Sequence, residues 1–375
     1  MRNNVTIIVK PTNECNFRCQ YCYHADTEYD VGIMSDICLE LLIKKVQSEF
    51  RQVVYVWHGG EPLLCGLDFF EKAVSYQKKY AKPTSIYINS IQTNGLLLDQ
   101  DYLEFFLKHN FSVCVSYDGP GECNCLREST SEIERHILAS INSGVNTSVL
   151  SVISNRNIGC LIEMYKYYRD NNIHAKFNPI FESTALDCRE YLIDSEEYAN
   201  ALISFFDYWV NDTNAIEIEP LCQYVRMALG FDGRECIYES CLAKWLGIDH
   251  NGNLYPCGRS YPQEYLLGNI SDYESIPNVF ENEVYLSLLK SAILRRSDCQ
   301  EKCKYYGVCH GGCNNNCIIE GVSKASDTFM CKVFCKVYPY VSSWVELHME
   351  KGNIDTVSNH IIQSMIKTRL HSAKR

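Results

Sequence analysis

Along the first half of the chain, short runs of β-branched and aromatic residues alternate with amphipathic stretches of helical length. The strand-like runs cover residues 5–9, 53–57, 85–91, 111–116, 145–153 and 175–179. Helical patterns fill residues 35–50, 67–80, 99–109, 130–143, 158–171 and 195–211. Six successive strand–helix units predict a parallel sheet with helices outside, either curled into a partial (β/α)6 TIM-like barrel or doubly wound. In such sheets chemistry collects on the loops after the strands. The unusual residues fall there: residues 15–22 after the first strand, Gly59-Gly60-Glu61-Pro62 after the second, Gln92-Thr93-Asn94-Gly95 after the third and Asp118-Gly119-Pro120 after the fourth.

Beyond about residue 230 the alternation stops and cysteines crowd together. The expected division is a core barrel over 1–225, a small cysteine-rich domain over 226–340 and a helical extension over 341–375. A small domain of this texture is held by metal groups more than by its own core.

The net charge of −11 disfavours a nucleic-acid partner, which needs a concentrated basic surface. Only residues 367–375 are basic. No signal peptide and no apolar run long enough to span a bilayer are visible, so a cytoplasmic protein without a membrane partner is expected. In that reducing compartment 21 cysteines point to metal or cluster binding rather than disulfides, and to an anaerobic setting.

Cys15, Cys19 and Cys22 are spaced C-x3-C-x2-C and offer three thiolates from one short loop. A cubane iron–sulfur cluster usually takes four cysteines, so this loop leaves one iron open to a small molecule. A zinc site is the competing reading, and the lack of a fourth cysteine nearby counts against it. Gly59 and Gly60 read as a turn whose missing side chains permit close backbone approach.

These residues, with Tyr21 just before the last cysteine, resemble the signature of the radical S-adenosylmethionine (SAM) enzymes. The resemblance implies the partial-barrel form, with SAM chelated by the open iron of a [4Fe–4S] cluster. An electron, from a donor such as flavodoxin or ferredoxin, breaks the sulfonium bond to give a 5′-deoxyadenosyl radical that abstracts hydrogen. It further implies that Gly59, Gly60 and Glu61 hold the methionyl ammonium, and that Ser116 meets the ribose. Arg135 would take the SAM carboxylate, with Arg127 as competitor. Gln92 and Asn94 point into the same cavity or merely close the third strand.

The later cysteines resemble the twin-cluster SPASM extension: Cys241, Gly252 and Tyr255-Pro256-Cys257, then Cys299-x3-Cys303-x5-Cys309-x3-Cys313, then Cys331. Where that family has two residues, this chain has three between Cys299 and Cys303. The resemblance implies one auxiliary [4Fe–4S] cluster on Cys236, Cys241, Cys257 and Cys313. A second would sit on Cys299, Cys303, Cys309 and Cys331, with Cys317 and Cys335 as substitute ligands. That makes three clusters in all, and a pair of zinc sites is the alternative at these positions.

Nearly the whole chain is similar to the anaerobic sulfatase-maturating enzymes, which convert a cysteine or serine to formylglycine. In them an aspartate directly after the Tyr-Pro-Cys cysteine is the general base. Here Gly258 and then Arg259 stand there. That difference favours a related activity on a peptide or protein substrate, the maturation of a ribosomally made peptide by cross-linking or epimerisation, with formylglycine formation as the alternative. No leader-recognition domain is expected ahead of Val5. Cys123 or Cys125 is a candidate hydrogen donor, His58 a candidate base near neutral pH, and Arg259 a candidate for a substrate carboxylate; Tyr261, like the other tyrosines, reads as a packing residue. A non-catalytic electron carrier is disfavoured, because it has no need of an open three-cysteine site.

Overall fold

The structure, a computed structural model, describes residues 2–22, 31–181, 188–233, 235–238, 241–259, 263–350 and 356–372. Seven strands and seven helices alternate first: β1 (Arg2–Val9), α1 (Asp36–Glu49), β2 (Phe50–Trp57), α2 (Leu67–Tyr80), β3 (Ile86–Thr93), α3 (Gln100–Lys108) and β4 (Ser112–Ser116). Then follow α4 (Thr130–Asn142), β5 (Asn146–Ile153), α5 (Leu161–Asp170), β6 (His174–Pro179), α6 (Ser195–Val210), β7 (Ile218–Glu219) and α7 (Leu221–Ala228). The six predicted strand–helix units are all present, with ends within a few residues of expectation. Caps explain several starts: Asp99 accepts from Tyr102 N at the head of α3, and Asp194 from Glu196 N at the head of α6.

The strands run in the order β7-β6-β5-β4-β3-β2-β1, all parallel. Burial alternates with period two along β2, β4, β5 and β6. Val53, Tyr55 and Trp57 point under the helices and are fully covered, while the intervening positions face inward. Residues from the ends of β3, β5 and β6 share one cavity wall with the loop after β1, which requires the sheet to curl into a partial barrel. The doubly wound alternative is thereby excluded.

Under the helices an aromatic cluster packs edge to face, with Trp57 and Phe70 centroids 5.8 Å apart at 87° and Phe69 and Phe70 5.4 Å apart. One polar trio is sealed within it. Asn89 Oδ1 accepts from Trp57 Nε1 at 3.0 Å and from Gln77 Nε2 at 2.9 Å, and Asn89 Nδ2 returns a bond to Gln77 Oε1 at 2.9 Å.

The cysteine-rich part is less separate than the sequence suggests. Its strand β8 (Trp245–Ile248) lies parallel beside β1 and extends the same sheet, with β9 (Leu254–Tyr255) antiparallel at the edge. Helices α8 (Ile276–Val279), α9 (Glu283–Lys302), α10 (Tyr306–Cys309) and α11 (Asn314–Ile319) follow. The apolar stripe Val333, Phe334, Val337, Val341 and Val345 of α12 (Phe329–Glu350) is buried in the main core, and Phe206 of α6 meets Trp344 edge-on at 5.7 Å. This helix runs unbroken through residue 340, where the sequence division places an end. In α13 (His360–Ser372) Ile362 and Ile366 are buried, and just ahead of it Asn359 Nδ2 donates to Trp209 O at 2.9 Å. Among the described residues no helix is long and apolar enough to cross a membrane.

Replacing Asn89 by alanine strands Trp57 Nε1 and both polar atoms of Gln77 in the core. We expect a loss of about 2–4 kcal/mol, read as a lower thermal midpoint of the reconstituted protein. An unchanged midpoint would show that the trio does not brace α2 on the sheet.

Candidate functional site

The loop after β1 carries the three cysteines, and the turn after β2 holds that loop in place. The ladder between β1 and β2 continues past the strands: Gly60 N donates to Thr12 O at 3.0 Å and Glu61 N to Glu14 O at 2.7 Å. A Cβ on Gly59 would lie 2.4 Å from Thr12 O, and one on Gly60 only 2.0 Å from Glu14 O. Gly59 also has φ +109°. The glycines are therefore required by the approach of the cysteine loop itself. Farther along, Gln20 N donates to Leu126 O at 3.1 Å and Tyr191 Oη to Gln20 Oε1 at 2.7 Å.

Glu61 is fully buried, and its carboxylate accepts from Leu63 N, Thr93 Oγ1 and Asn94 N at 2.7–3.0 Å. Those bonds staple the glycine turn to the end of β3, and the side chain does not line the cavity, which corrects its expected place on the ligand. Burial pushes its carboxyl up to about 7, against the pull of those donors.

Cys15, Cys19, Tyr21 and Cys22 open onto a cavity of about 300 Å³. Gly59, Gly60, Gln92, Asn94 and Ser116 line it as expected, with Gln92 Nε2 donating to Ser116 Oγ at 2.8 Å. Asn94 Nδ2 donates to Asn16 Oδ1 at 2.7 Å and lies 3.8 Å from Cys15 Sγ. Leu150 and Val152 form an apolar wall. Arg135 is elsewhere. Its side chain is 70% exposed on α4, where its helical position faces solvent, and among the described residues it pairs with Glu132 at 3.5 Å. Arg127, the competitor, lines the cavity; its Nη1 donates to Tyr21 Oη at 2.9 Å, and Tyr21 Oη donates to Asp118 Oδ2 at 2.5 Å. Among the described residues the buried Arg127 Nε has no hydrogen-bond partner.

His58 lines the cavity, and its Nδ1 accepts from Gly59 N at 2.7 Å. Burial, reinforced by Lys10, lowers the imidazole to about 4, which favours the neutral ring at pH 7. Cys123 and Cys125 are outside the lining. The tight turn at Asp118-Gly119-Pro120 carries Cys123 under the rim, 5% exposed, beside Cys160 and Glu163, while Cys125 faces solvent. Neither is placed to give hydrogen to a group in the cavity.

Arg259 lies on the opposite wall, with its guanidinium carbon 4.4 Å from the Phe181 ring centroid and Nη1 2.5 Å from Asn316 Oδ1. Phe181 carries no sequence signal, because its partner is remote in the chain. Gly258 packs on β1: a Cβ there would lie 2.4–2.6 Å from three atoms of Ile8. Tyr261 lies outside the described residues.

Two further cavities gather most of the later cysteines. One of about 230 Å³, reached past Arg259, is lined by Cys236, Cys241, Cys257 and Cys313. The other, about 650 Å³, is lined by Cys299, Cys303, Cys309 and Cys331, together with Cys313 and Cys335. Cys335 Sγ is 4.0 Å from Cys331 Sγ and so stays a possible ligand, whereas buried Cys317 lines neither cavity. Burial pushes the thiols of Cys19 and Cys241 up to about 12, so taking up metal must release their protons. Around the smaller cavity Tyr198 Oη, Glu235 Oε1 and the amides of Asn314 and Asn315 are buried without hydrogen-bond partners among the described residues. Four thiols and this set of orphaned polar atoms fit a bound cluster.

Residues 9–168 match the family model described as the radical SAM superfamily, and residues 236–314 that of an iron–sulfur cluster-binding domain, SPASM. A cysteine-type anaerobic sulfatase-maturating enzyme of Clostridium perfringens is 27% identical over 361 residues, covering 90% of this chain and 96% of that enzyme. The serine-type enzyme of Bacteroides thetaiotaomicron is 27% identical over 396 residues, covering 91% and 90%. Native anSMEcpe, solved with bound AdoMet and Kp18Cys peptide, superposes with a TM-score of 0.80 at 25% identity, covering 93% of this chain and 99% of that one. Streptococcus suis SuiB, bound to precursor peptide SuiA, shares the fold at a TM-score of 0.61, with 16% identity and coverage of 86% and 75%.

His58 gives a signed expectation. Its folded pKa, about 4, lies below the free imidazole's 6.5, so its contribution to stability is complete above pH 6.5 and is lost as pH falls toward 4. His58→Gln should flatten that acid limb in a thermal-midpoint titration. An imidazole resonance that titrates near pH 6.5 in the wild type and is missing from His58→Gln would contradict the placement.

Proposed function

We propose that this chain, a radical SAM enzyme with a SPASM extension, removes a hydrogen atom from one residue of a peptide or protein held between the cysteine loop and Arg259. Cluster-bound SAM, if held there, would supply the hydrogen-abstracting radical chemistry. Cys15, Cys19 and Cys22 would hold that cluster. Arg127, with its orphaned Nε, would take the SAM carboxylate in place of Arg135. The Gln92–Ser116 pair suits a ribose, and Leu150 and Val152 suit a purine face. The observation that carries the reading is one cavity lined by the three-cysteine loop on one side and by Phe181 and Arg259 of the far wall on the other.

Cys236, Cys241, Cys257 and Cys313 would hold one auxiliary cluster, and Cys299, Cys303 and Cys309 with Cys331 the second. The smaller cavity touches the active one through His58 and Arg259, and the larger through Cys313. That adjacency supports an electron route between the cavity and a flavodoxin or ferredoxin at the surface. Twenty-one free thiols support a reducing, cytoplasmic setting.

Similarity along almost the full length supports oxidation of a protein cysteine or serine, as in sulfatase maturation, more than the peptide cross-linking favoured from the sequence. The likeness to SuiB concerns the fold alone. Gly258 leaves one difference: no carboxylate can stand at that position while β1 keeps Ile8 against it. A formylglycine route here needs solvent or a substrate group as proton acceptor.

Anaerobic reconstitution with SAM, reductant and a peptide bearing a sulfatase active-site serine or cysteine should give 5′-deoxyadenosine and, for serine, a peptide lighter by two hydrogens. Deoxyadenosine with an unaltered peptide would reject the sulfatase substrate, and no deoxyadenosine would reject the enzyme. For the cofactor, Arg127→Ala should weaken SAM binding by about tenfold or more, roughly 1.4 kcal/mol, with Arg135→Ala near wild type. The reverse order would restore Arg135.

A further inference from the structure

The wall opposite the cysteine loop carries a guanidinium whose surroundings are unusual. Its backbone is fixed beside the smaller cluster cavity, with Arg259 N 3.5 Å from Cys257 Sγ. The preceding residue is clamped on Ile8 and contributes no side chain. The Arg259 side chain then turns toward the active cavity, where its plane is set by Phe181 and one edge by the buried Asn316. Among the described residues Nε and Nη2 have no partner, and no carboxylate lies within 4.0 Å of the group. A half-buried cation fixed in orientation, with a free edge on a cavity, is placed for an anion that arrives with the ligand.

We infer that Arg259 receives a carboxylate of the substrate, an aspartate or glutamate side chain next to the residue attacked. This rests on the peptide-substrate reading above. Phe181 and Ile319 give the same stretch of wall an apolar surface for the aliphatic stem of such a side chain. A planar carboxylate takes two parallel N–H bonds from the free edge, while an amide of equal size brings an N–H against an N–H. The rival role is compensation of charge on a cluster at Cys257. It needs no aromatic platform and no Asn316, and it makes no distinction between acidic and amide peptides.

The test uses the full reconstituted chain and synthetic peptide pools with a central cysteine or serine. The neighbouring positions carry Asp and Glu in one pool, Asn and Gln in the second and Lys in the third. The readout is 5′-deoxyadenosine formed above the peptide-free rate. The wild type should respond about tenfold more to the acidic pool than to the amide pool. Arg259→Gln should level the two, Arg259→Lys should keep a reduced preference, and Arg259→Glu should favour the Lys pool. Iron and sulfide contents equal to wild type show that each variant is assembled. Equal wild-type responses to acid and amide would overturn the inference alone. So would Arg259→Gln that keeps the preference and only shifts a cluster midpoint potential. A normal basal rate with no response to any pool would overturn the peptide reading and this inference with it.

Discussion

The site depends on one close approach of backbones, in which the turn after β2 lies against residues 12–14. At Gly60 there is 2.0 Å between a hypothetical Cβ and Glu14 O, so any side chain would drive the cysteine loop away. Two backbone hydrogen bonds then register the loop to the sheet, and the buried Glu61 carboxylate ties the same turn to β3. A loop carrying three cysteines is thus positioned by rigid strands rather than by its own short sequence. Tyr21, Asp118 and Arg127 extend this order across the cavity floor.

The second constraint is that the cysteine-rich part shares the sheet. Strand β8 pairs with β1, and Gly258 packs on Ile8 of that strand. Arg259 is thereby held over the active cavity while Cys257 remains in its neighbour. The step from the smaller cysteine-lined cavity to that of the cysteine loop is built from consecutive residues, so their spacing is set by covalent geometry and strand pairing. Burial raises the thiols gathered there, and among the described residues several polar atoms around the smaller cavity lack hydrogen-bond partners, which suits a bound group at that place.

Much of this was legible beforehand. Period-two and helical patterning located all six strand–helix units, and cysteine spacing picked out residues that come together around three cavities. What the sequence hid was direction. Arg127 and Arg135 are chemically alike and eight positions apart, yet one lines the cavity and the other faces solvent. Cys123 follows a motif loop on the active face, and a tight turn carries it under the rim. Glu61 sits in a ligand-binding motif but is consumed by the turn. The pairing of β8 with β1 is a contact between distant segments, which no local pattern encodes. Gly258 was legible as a missing base, but the reason for the glycine lay in Ile8, far away in the chain.

Low-temperature electron paramagnetic resonance of the reduced, reconstituted chain tests the account most directly, before and after addition of SAM. The account predicts that SAM changes the spectrum of the wild type. In Gly60→Ala that change and SAM cleavage should both be lost, while signals arising from the cysteine-rich part remain. A wild-type spectrum indifferent to SAM, or a Gly60→Ala variant that cleaves SAM at the wild-type rate, would contradict it.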